Sequence, residues 1–281
     1  MMINNSERVI AWESRTGIKL NQYEVLDSTN NRAKEYVKEL ISRGNTNPVR
    51  EIFVCEKQTN GRGRRGKNWE SPSGTGIWMS CLMTPKVSSD VISEITLLAA
   101  LGVVKAINHL AVSNSILNIE PKIKWPNDIV INEKKICGIL TELVNDPATG
   151  MNYVICGIGI NVNDKSFVGE NYTFATSLYY ESGVVWNREE LFFDIALCLR
   201  QFVQTLEAKK SLGFIKDDYN NMLISMNKEI ILKTENGDYK DEVYISRGID
   251  DSGALLVEGK DGNIFRVTSG EVSVRGLYGY V

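Results

Sequence analysis

The chain contains a single histidine in 281 residues, and this scarcity excludes several common kinds of active site. His109 ends an apolar, helix-like stretch with no other metal-ligating residue beside it. A Ser/His/Asp or Cys/His arrangement needs a histidine next to a nucleophile, and a zinc site needs clustered ligands. We therefore expect neither, and predict that His109 is a satisfied core or surface residue.

Paired cysteines and long apolar runs are also missing. The five cysteines occur at positions 55, 81, 137, 156 and 198, never as CxxC, and four of them lie in apolar, strand-like runs. This pattern predicts reduced, buried thiols. The N-terminus shows no basic start followed by an apolar stretch, and no apolar run is long enough to cross a bilayer. The sequence thus predicts a cytoplasmic protein without a membrane partner.

The chain has no excess of positive charge and no familiar nucleotide-binding glycine motif. Its formal net charge of −3 argues against a protein that coats nucleic acid. No GxxxxGK[ST] sequence occurs, and "GIGIN" (Gly157 to Asn161) does not open a helix, so a Rossmann site is not predicted. We expect the glycines of this strand to let another backbone or a ligand approach closely.

Hydrophobic periodicity predicts an α+β domain followed by a small β domain. Helices are expected after the capping residues Asp27 to Thr29, after Asp90, after Asn187 with Glu190, and over residues 213–223. Strands are expected in "EIFVCE", "GIWMSCLM" and "MNYVICGIGINV". A pair of strands is expected from "KIKW" to "KICGILTELV", with a reversal at Asn132 to Lys134. After Ser225, short strands alternate with turns, as in a small antiparallel barrel. We place the two domains at residues 1–222 and 223–281.

The stretch "GRGRRGKNWESPSG" combines glycines with a concentrated positive charge. Arg62, Arg64, Arg65 and Lys67 lie among three glycines, with no acidic residue between Gly61 and Lys67. Guanidinium groups match phosphate and carboxylate oxygens, and glycines let the backbone approach a ligand. The loop therefore suggests an anion site that orders on binding; a solvated turn or a nucleic-acid patch is the alternative.

"KWPND", Lys124 to Asp128, packs a cation, an indole, a proline, an amide and a carboxylate into five residues. The proline marks a strand end or bulge, where side chains turn towards a site. Asn127 and Asp128 are candidates to hold magnesium or to orient an amine; a plain strand-to-turn junction is the alternative. Lys135, at the head of the next strand, is a candidate to reach an anion or to remain solvated.

Taken in order, "DSTN", "GRGRRGKNWESPSG", "KWPND", "KICGILTEL" and "GIGIN" resemble the bacterial type of biotin protein ligase from about Tyr23 to the end. The resemblance implies a mixed sheet with helices, like class II aminoacyl-tRNA synthetases, followed by an SH3-like β-barrel. Before Tyr23 only a short lead occurs, so the winged helix-turn-helix of repressor-type members, and hence DNA binding, is not expected. Asn60 stands where many members carry alanine.

The resemblance also implies roles for individual residues. Biotin would be bound by Ser28, Thr29, Asn30, Gln58, Gly61, Arg62, Gly63, Arg64, Lys135, Gly138, Gly157 and Gly159. ATP would be bound by Arg64, Arg65, Lys67, Trp69, Lys124, Asn127 and Asn161, with Asn127 also contacting Mg²⁺. Lys135, Arg64 and Asp128 would be catalytic, with Lys135 neutralising the biotin carboxylate and the α-phosphate.

The reaction implied is the ATP-dependent formation of biotinyl-5′-AMP, followed by transfer of biotin to a lysine of a carboxylase's biotin carboxyl carrier domain. ATP and biotin are the substrates and Mg²⁺ the accompanying ion, while the oligomeric state stays open between monomer and homodimer. A lipoate protein ligase or related acyltransferase is the nearest alternative. A nucleic-acid-binding regulator is the alternative from another class.

Overall fold

A computed structural model describes residues 3, 6–88, 94–167, 174–233, 242–268 and 273–276 of the chain. The helices are α1 (Ser6–Thr16), α2 (Thr29–Ser42), α3 (Ile95–Ser113), α4 (Leu178–Ser182), α5 (Arg188–Lys209) and α6 (Lys216–Met222). The strands are β1 (Lys19–Leu26), β2 (Arg50–Gln58), β3 (Gly76–Met83), β4 (Lys122–Lys124), β5 (Asp128–Ile131), β6 (Lys134–Asn145), β7 (Asn152–Asn161), β8 (Glu229–Lys233), β9 (Val243–Ile249), β10 (Leu255–Glu258), β11 (Ile264–Val267) and β12 (Ser273–Gly276). The helix cap expected at Asp90 lies outside the described residues.

The first seven strands form one mixed sheet in the order β1-β2-β3-β7-β6-β5-β4. Only β1 and β2 run parallel, while all the other neighbours are antiparallel. The reversal expected between β5 and β6 is formed by Asn132 and Glu133, both with positive φ, as a tight hairpin turn requires. The predicted mixed sheet with helices is confirmed.

Helices cover both faces of this sheet, so alternate residues of one strand pack against different helices. In β2, Phe53 packs with Ala33 and Val37 of α2, whereas Ile52 and Val54 belong to the core shared with α3 and α5. The central strand β3 is buried along its whole length because helices lie on either side. All five cysteines are free thiols, four of them buried, and Cys198 on α5 is partly exposed.

Helix α3 is apolar nearly all round and lies inside the protein. Of its residues, 13 are buried, and it contacts α5 along much of its length. By length and composition it is also the one helix among the described residues that could cross a membrane, but 72% of its apolar window is buried in the fold. It is accordingly a core helix here.

The last five strands form a second, antiparallel sheet in the order β11-β10-β9-β8-β12, as the strand-and-turn pattern after Ser225 predicted. This sheet packs against the main domain through specific hydrogen bonds. Trp125 Nε1 donates to Gly253 O at 3.2 Å, and Ile249 N donates to Asn220 Oδ1 at 2.8 Å. The "KWPND" stretch is thus in contact with the small β domain.

Sequence patterns missed α1, β1 and α4. Only Trp12 and Thr16 of α1 are buried, and in the edge strand β1 only Leu20 is buried. Elements that bury so few side chains carry little hydrophobic periodicity, which is the signal used to predict them.

Candidate active site

A cleft lies over the middle of the large sheet, between the start of α2 and the basic loop that joins β2 to β3. Many of its lining residues were predicted from the sequence: Ser28, Thr29, Asn30, Gln58, Arg62, Gly63, Arg64, Trp69, Asn127, Lys135, Gly138, Gly157 and Gly159. Four apolar residues complete the lining without having been predicted: Met79, Ile139, Leu140 and Ile158. The fold therefore gathers motifs from five separate parts of the chain around one space.

Three glycines of β6 and β7 form the floor of the cleft. Gly138 lies opposite Gly159, and Gly157 lies opposite Leu140. A Cβ atom at Gly157 would lie 2.2 Å from Asn30 Oδ1, and one at Gly159 would lie 2.6 Å from Trp69 Nε1. Such contacts are far inside van der Waals distance, so a side chain at either position would displace Asn30 or Trp69. We expected another backbone or a ligand to approach this strand, whereas in the structure the side chains of Asn30 and Trp69 approach it.

The start of α2 supplies polar groups to one end of the cleft. Ser28 is the N-cap residue, as expected, but its side chain makes no capping hydrogen bond and lines the cleft instead. Gln58 replaces the cap, because its Oε1 accepts from Thr29 N at 2.9 Å. Gln58 Nε2 donates to Ser71 Oγ at 2.7 Å, so this amide is held at both of its polar atoms.

Asn30 lies across three neighbouring strands. It is 4% exposed and sits on Gly157 of β7. Its Nδ2 donates to Glu142 Oε2 at 2.9 Å and to Leu140 O at 3.2 Å on β6, while Ser80 Oγ of β3 lies 2.5 Å from its Oδ1. Ser80 and Glu142 were not predicted. The one signal for Ser80 is a hydroxyl residue inside the apolar run "GIWMSCLM".

The basic loop has a defined backbone path across the cleft. Trp69 N donates to Gly61 O at 2.8 Å, and Gly63 N donates to Lys67 O at 2.7 Å. Between them Arg65 and Gly66 both have positive φ, which turns the chain sharply. Ordering of this loop by a bound anion stays a prediction.

Two arginines of the loop turn back onto the protein, and each has a polar partner. Arg62 Nη1 lies 3.3 Å from Glu142 Oε1 and donates to Asn31 Oδ1 at 3.1 Å. Arg64 Nη1 donates to Asn127 Oδ1 at 2.7 Å. Burial and the neighbouring Arg65 lower the pKa of Arg64, with Asp128 opposing them. Because burial and a neighbouring positive charge both destabilise the charged guanidinium group, a bound anion would stabilise it.

Lys135 brings a second cation to the end of the cleft where Arg64 contacts Asn127. Its Nζ lies 2.7 Å from Asp128 Oδ1 and 5.1 Å from the centre of the Trp69 ring. Its backbone is held on both sides, because Lys135 N donates to Phe174 O and Thr176 N donates to Lys135 O. Trp69 Nε1 is buried and has no hydrogen-bond partner among the described residues. The basic end thus combines the cations of Arg64 and Lys135 with the indole ring of Trp69.

Six predicted site residues do not line the cleft. Gly61 packs below the loop, where a Cβ atom would lie 2.3 Å from Trp69 O. Asn161 is buried and donates to Thr176 O at 3.1 Å. Lys124 is buried, and Arg65 and Lys67 are exposed. Asp128 lies behind two lining residues, because its Oδ1 accepts from Asn127 Nδ2 at 2.9 Å and lies 2.7 Å from Lys135 Nζ. Their predicted roles in binding stay predictions.

A magnesium ion held by protein side chains does not fit this arrangement. Asn127 Oδ1 accepts from Arg64, and Asp128 is paired with Lys135, so cationic groups already occupy both candidate oxygens. Within the described ranges, no group of three His, Cys, Asp or Glu residues could hold a metal ion. The predicted contact of Asn127 with Mg²⁺ would require Arg64 to release the Asn127 oxygen, and it stays a prediction.

Comparisons with known proteins agree with these features. Residues 23–161 match the model of the biotin/lipoate A/B protein ligase family, and residues 226–275 match that of the biotin protein ligase C-terminal domain. The chain is 35% identical over 262 residues to the bifunctional ligase/repressor BirA of Bacillus subtilis, covering 92% of this chain and 74% of the relative. It is 28% identical over 214 residues to the biotin–[acetyl-CoA-carboxylase] ligase of Paracoccus denitrificans, covering 74% and 84%.

Solved structures give the same result. The biotin protein ligase from Aquifex aeolicus in complex with biotin and ATP superposes with a TM-score of 0.75 at 29% identity. The match covers 92% of this chain and 99% of that chain.

Proposed function

The chain belongs to the biotin/lipoate A/B protein ligase family, and within it we infer that it is a biotin protein ligase. It activates biotin with ATP and transfers the biotinyl group to a lysine of a carrier domain. The expected place of action is the cytoplasm, where buried thiols stay reduced.

One observation supports this function above the others: a single cleft joins a neutral polar end to a cationic end. Thr29, Asn30 and Gln58 offer donors and acceptors at the first end, and Arg64 and Lys135 bring positive charge to the second. Biotin has the matching polarity, with a ureido ring at one end and a carboxylate at the other. The dithiolane ring of lipoate has no N–H or C=O group to match the polar end.

Formation of the adenylate joins two anions. A biotin carboxylate oxygen attacks the α-phosphorus of ATP, the new O–P bond forms, and the bond to the β-phosphate breaks to release pyrophosphate. Lys135 and Arg64 lower the repulsion between the carboxylate and the phosphate, and they stabilise the charge that develops on the phosphoryl oxygens. Since both side chains already point into the cleft, little reorganisation accompanies the reaction.

Transfer uses the amine of a carrier lysine as nucleophile. The amine attacks the carbonyl carbon of the mixed anhydride, an amide bond forms, and AMP leaves with its phosphate oxygen. Asp128, 2.7 Å from Lys135 Nζ at the edge of the cleft, is placed to orient the incoming ammonium group and accept its proton. The Asp128 carboxylate would then exchange one ammonium partner for another.

The basic loop shields the intermediate from water. Arg62, Arg64 and Trp69 lie over the cleft, and the Trp69 indole covers Gly159 with its buried Nε1 atom. Magnesium enters as the phosphate complex of ATP. The contacts predicted for Arg65, Lys67, Lys124 and Asn161 with ATP, and for Asn127 with the metal ion, remain predictions.

Pyrophosphate exchange tests the first half of this function. We expect exchange into ATP to be stimulated by biotin and not by lipoate. Labelled biotin should then appear on a carboxylase carrier domain only when ATP is present. Exchange stimulated by lipoate alone would identify a lipoate ligase instead, and salt-sensitive micromolar binding to random duplex DNA would revive the nucleic-acid alternative.

A further inference from the structure

Glu142 is a partly buried carboxylate beside the cleft, with three donors converging on it. Its side chain is 17% exposed, and it accepts from Lys34 Nζ at 2.6 Å and from Asn30 Nδ2 at 2.9 Å. Arg62 Nη1 lies 3.3 Å away. Burial by itself raises the pKa of Glu142, but the hydrogen bonds from Lys34 and Asn30 and the charges of Lys34 and Arg62 lower it overall. Glu142 is therefore ionised at neutral pH and can only accept hydrogen bonds.

An acceptor at this position fixes the orientation of the Asn30 amide. Asn30 must direct its NH₂ group towards Glu142, and the second N–H of that group reaches Leu140 O at 3.2 Å. Both donors are then used on β6. The Oδ1 atom consequently faces Ser80 of β3, and Ser80, which carries a single hydroxyl proton, donates it to Asn30.

The donation of the Ser80 proton to Asn30 also sets the direction of the hydrogen bonds around Thr29. Ser80 Oγ also lies 2.7 Å from Thr29 Oγ1, and because its proton is already used, it can only accept from Thr29. The Thr29 hydroxyl thus donates towards the protein, to Ser80 or to Gln58 Oε1 at 3.3 Å. In this assignment the Thr29 hydroxyl oxygen accepts from no described residue, and Thr29 lines the cleft. The neutral end of the cleft therefore presents acceptors at Thr29 and Asn30.

We propose that Glu142 is a positioning residue that sets the hydrogen-bond direction of the ring-binding end of the cleft, acting through Asn30 and Ser80 on Thr29. The inference rests on the proposed function, since acceptors at Thr29 and Asn30 select a ring with N–H donors, as in the ureido group of biotin. Glu142 contacts neither reacting atoms nor the ring itself.

Glu142→Gln is the direct test, because glutamine keeps the shape and supplies a donor. Lys34 and Arg62 still donate to position 142, so the glutamine oxygen faces them and its NH₂ group faces Asn30. This favours rotation of the Asn30 amide, which only Leu140 O then opposes. After rotation, Ser80 donates to Thr29, and acceptors for the ring are lost. We expect the KM for biotin to rise roughly 10- to 100-fold, while the KM for ATP and kcat stay within about threefold. Glu35→Gln, on the exposed side of α2, is the matched control and should change none of these values.

A ligand series separates this role from a purely structural one. Cyclic carbamate analogues of biotin replace one ring N–H by oxygen with little change of shape. The wild type should bind at least one of them roughly 10- to 100-fold more weakly than biotin. In Glu142→Gln that ratio should fall to about threefold or less. Ser80→Ala interrupts the same series of hydrogen bonds without changing the contact of Arg62, and it should also lower this ratio. It replaces Glu142→Gln as the test if that variant fails to fold.

Two results would overturn the proposal: an unchanged KM for biotin in both variants, or equal losses for biotin and its carbamate analogues. Neither concerns the proposed function, which fails only if the wild type itself shows no biotin-dependent pyrophosphate exchange.

Discussion

Lys135 Nζ and Asp128 Oδ1 lie 2.7 Å apart at the edge of the cleft, so the principal cation of the site already has a carboxylate partner. The pair joins the head of β6 to the start of β5. A lysine that is paired with a carboxylate binds a further anion more weakly than an unpaired lysine does, and it leaves the carboxylate when a more highly charged anion binds. Lys135 and Asp128 are therefore best considered as one unit, to which we have assigned opposite proposed roles in the two half-reactions.

Removing the cation should stop activation. We expect Lys135→Ala to lower biotin-dependent pyrophosphate exchange by about 10²-fold or more, because the lost charge stabilises the transition state. The fold should persist, since the pair lies at the edge of the cleft and not in the apolar core. Lys134→Ala is the control, because Lys134 lies outside the cleft near Tyr180. Exchange within threefold of the wild type would remove Lys135 from the mechanism.

Loss of the Arg64 side chain should make the adenylate leak. Arg64→Gly removes a cation from the cleft and breaks the bond to Asn127, so the loop is held less firmly over the intermediate. We expect biotin to appear on bystander proteins in addition to the carrier domain, as judged by a streptavidin blot. Lys57→Ala, an exposed charge on β2, should not do this. Label confined to the carrier domain would contradict the shielding role.

The floor of the cleft should tolerate no side chain at Gly157. In Gly157→Ala the new methyl group would meet Asn30 Oδ1 at 2.2 Å and push the amide away from Ser80 and Glu142. We expect biotin affinity, measured by calorimetry, to fall by about tenfold or more. In Gly102→Ala the nearest atom is a Cβ at 3.4 Å, so this helical glycine is the matched control. Equal effects in the two variants would mean that Asn30 is not the cause.

The buried thiols should make the protein less stable in alkali. Burial raises the pKa of Cys55 to about 11 and that of Cys156 to about 12. A thiol in the unfolded chain ionises near pH ~8.5, so above about pH 9 the unfolded state releases protons that the folded state retains. The contribution of these two thiols to the free energy of unfolding should therefore be constant below about pH 8 and should fall as the pH rises above about 9.

Urea denaturation at pH 8, 9 and 10 under reducing conditions measures this effect. A Cys55→Ala/Cys156→Ala double variant should lose part of the alkaline slope. If its slope equals that of the wild type, the thiols are not responsible.

The sequence was most informative where composition and motif coincide. The glycines and arginines of the basic loop, the "KWPND" stretch and the glycines of "GIGIN" could each be recognised locally, and the fold brings them to one cleft. The strands of the large sheet other than the edge strand β1 were also predictable, because helices cover both faces of the sheet and a core strand such as β3 is buried along its whole length.

Long-range polar contacts could not be predicted in the same way. Glu142 and Lys34 are ordinary charged residues in their own segments, and their pairing depends on α2 crossing β6 more than 100 residues away in sequence. The pairing of Lys135 with Asp128 was likewise not expected, although both residues were. Local patterns identify which side chains have useful chemistry, but the direction in which each is held follows from tertiary neighbours.

The floor formed by Gly138, Gly157 and Gly159 has a consequence for redesign. Because Asn30 and Trp69 rest directly on main-chain atoms, the depth of the cleft is a property of the sheet itself and cannot be tuned by exchanging floor residues. A ligase engineered for bulkier biotin analogues would have to gain room sideways, at an apolar wall position such as Leu140, which lies two residues from Gly138 on the same face of β6. Substitutions can therefore widen the cleft for other substrates, but they cannot deepen it.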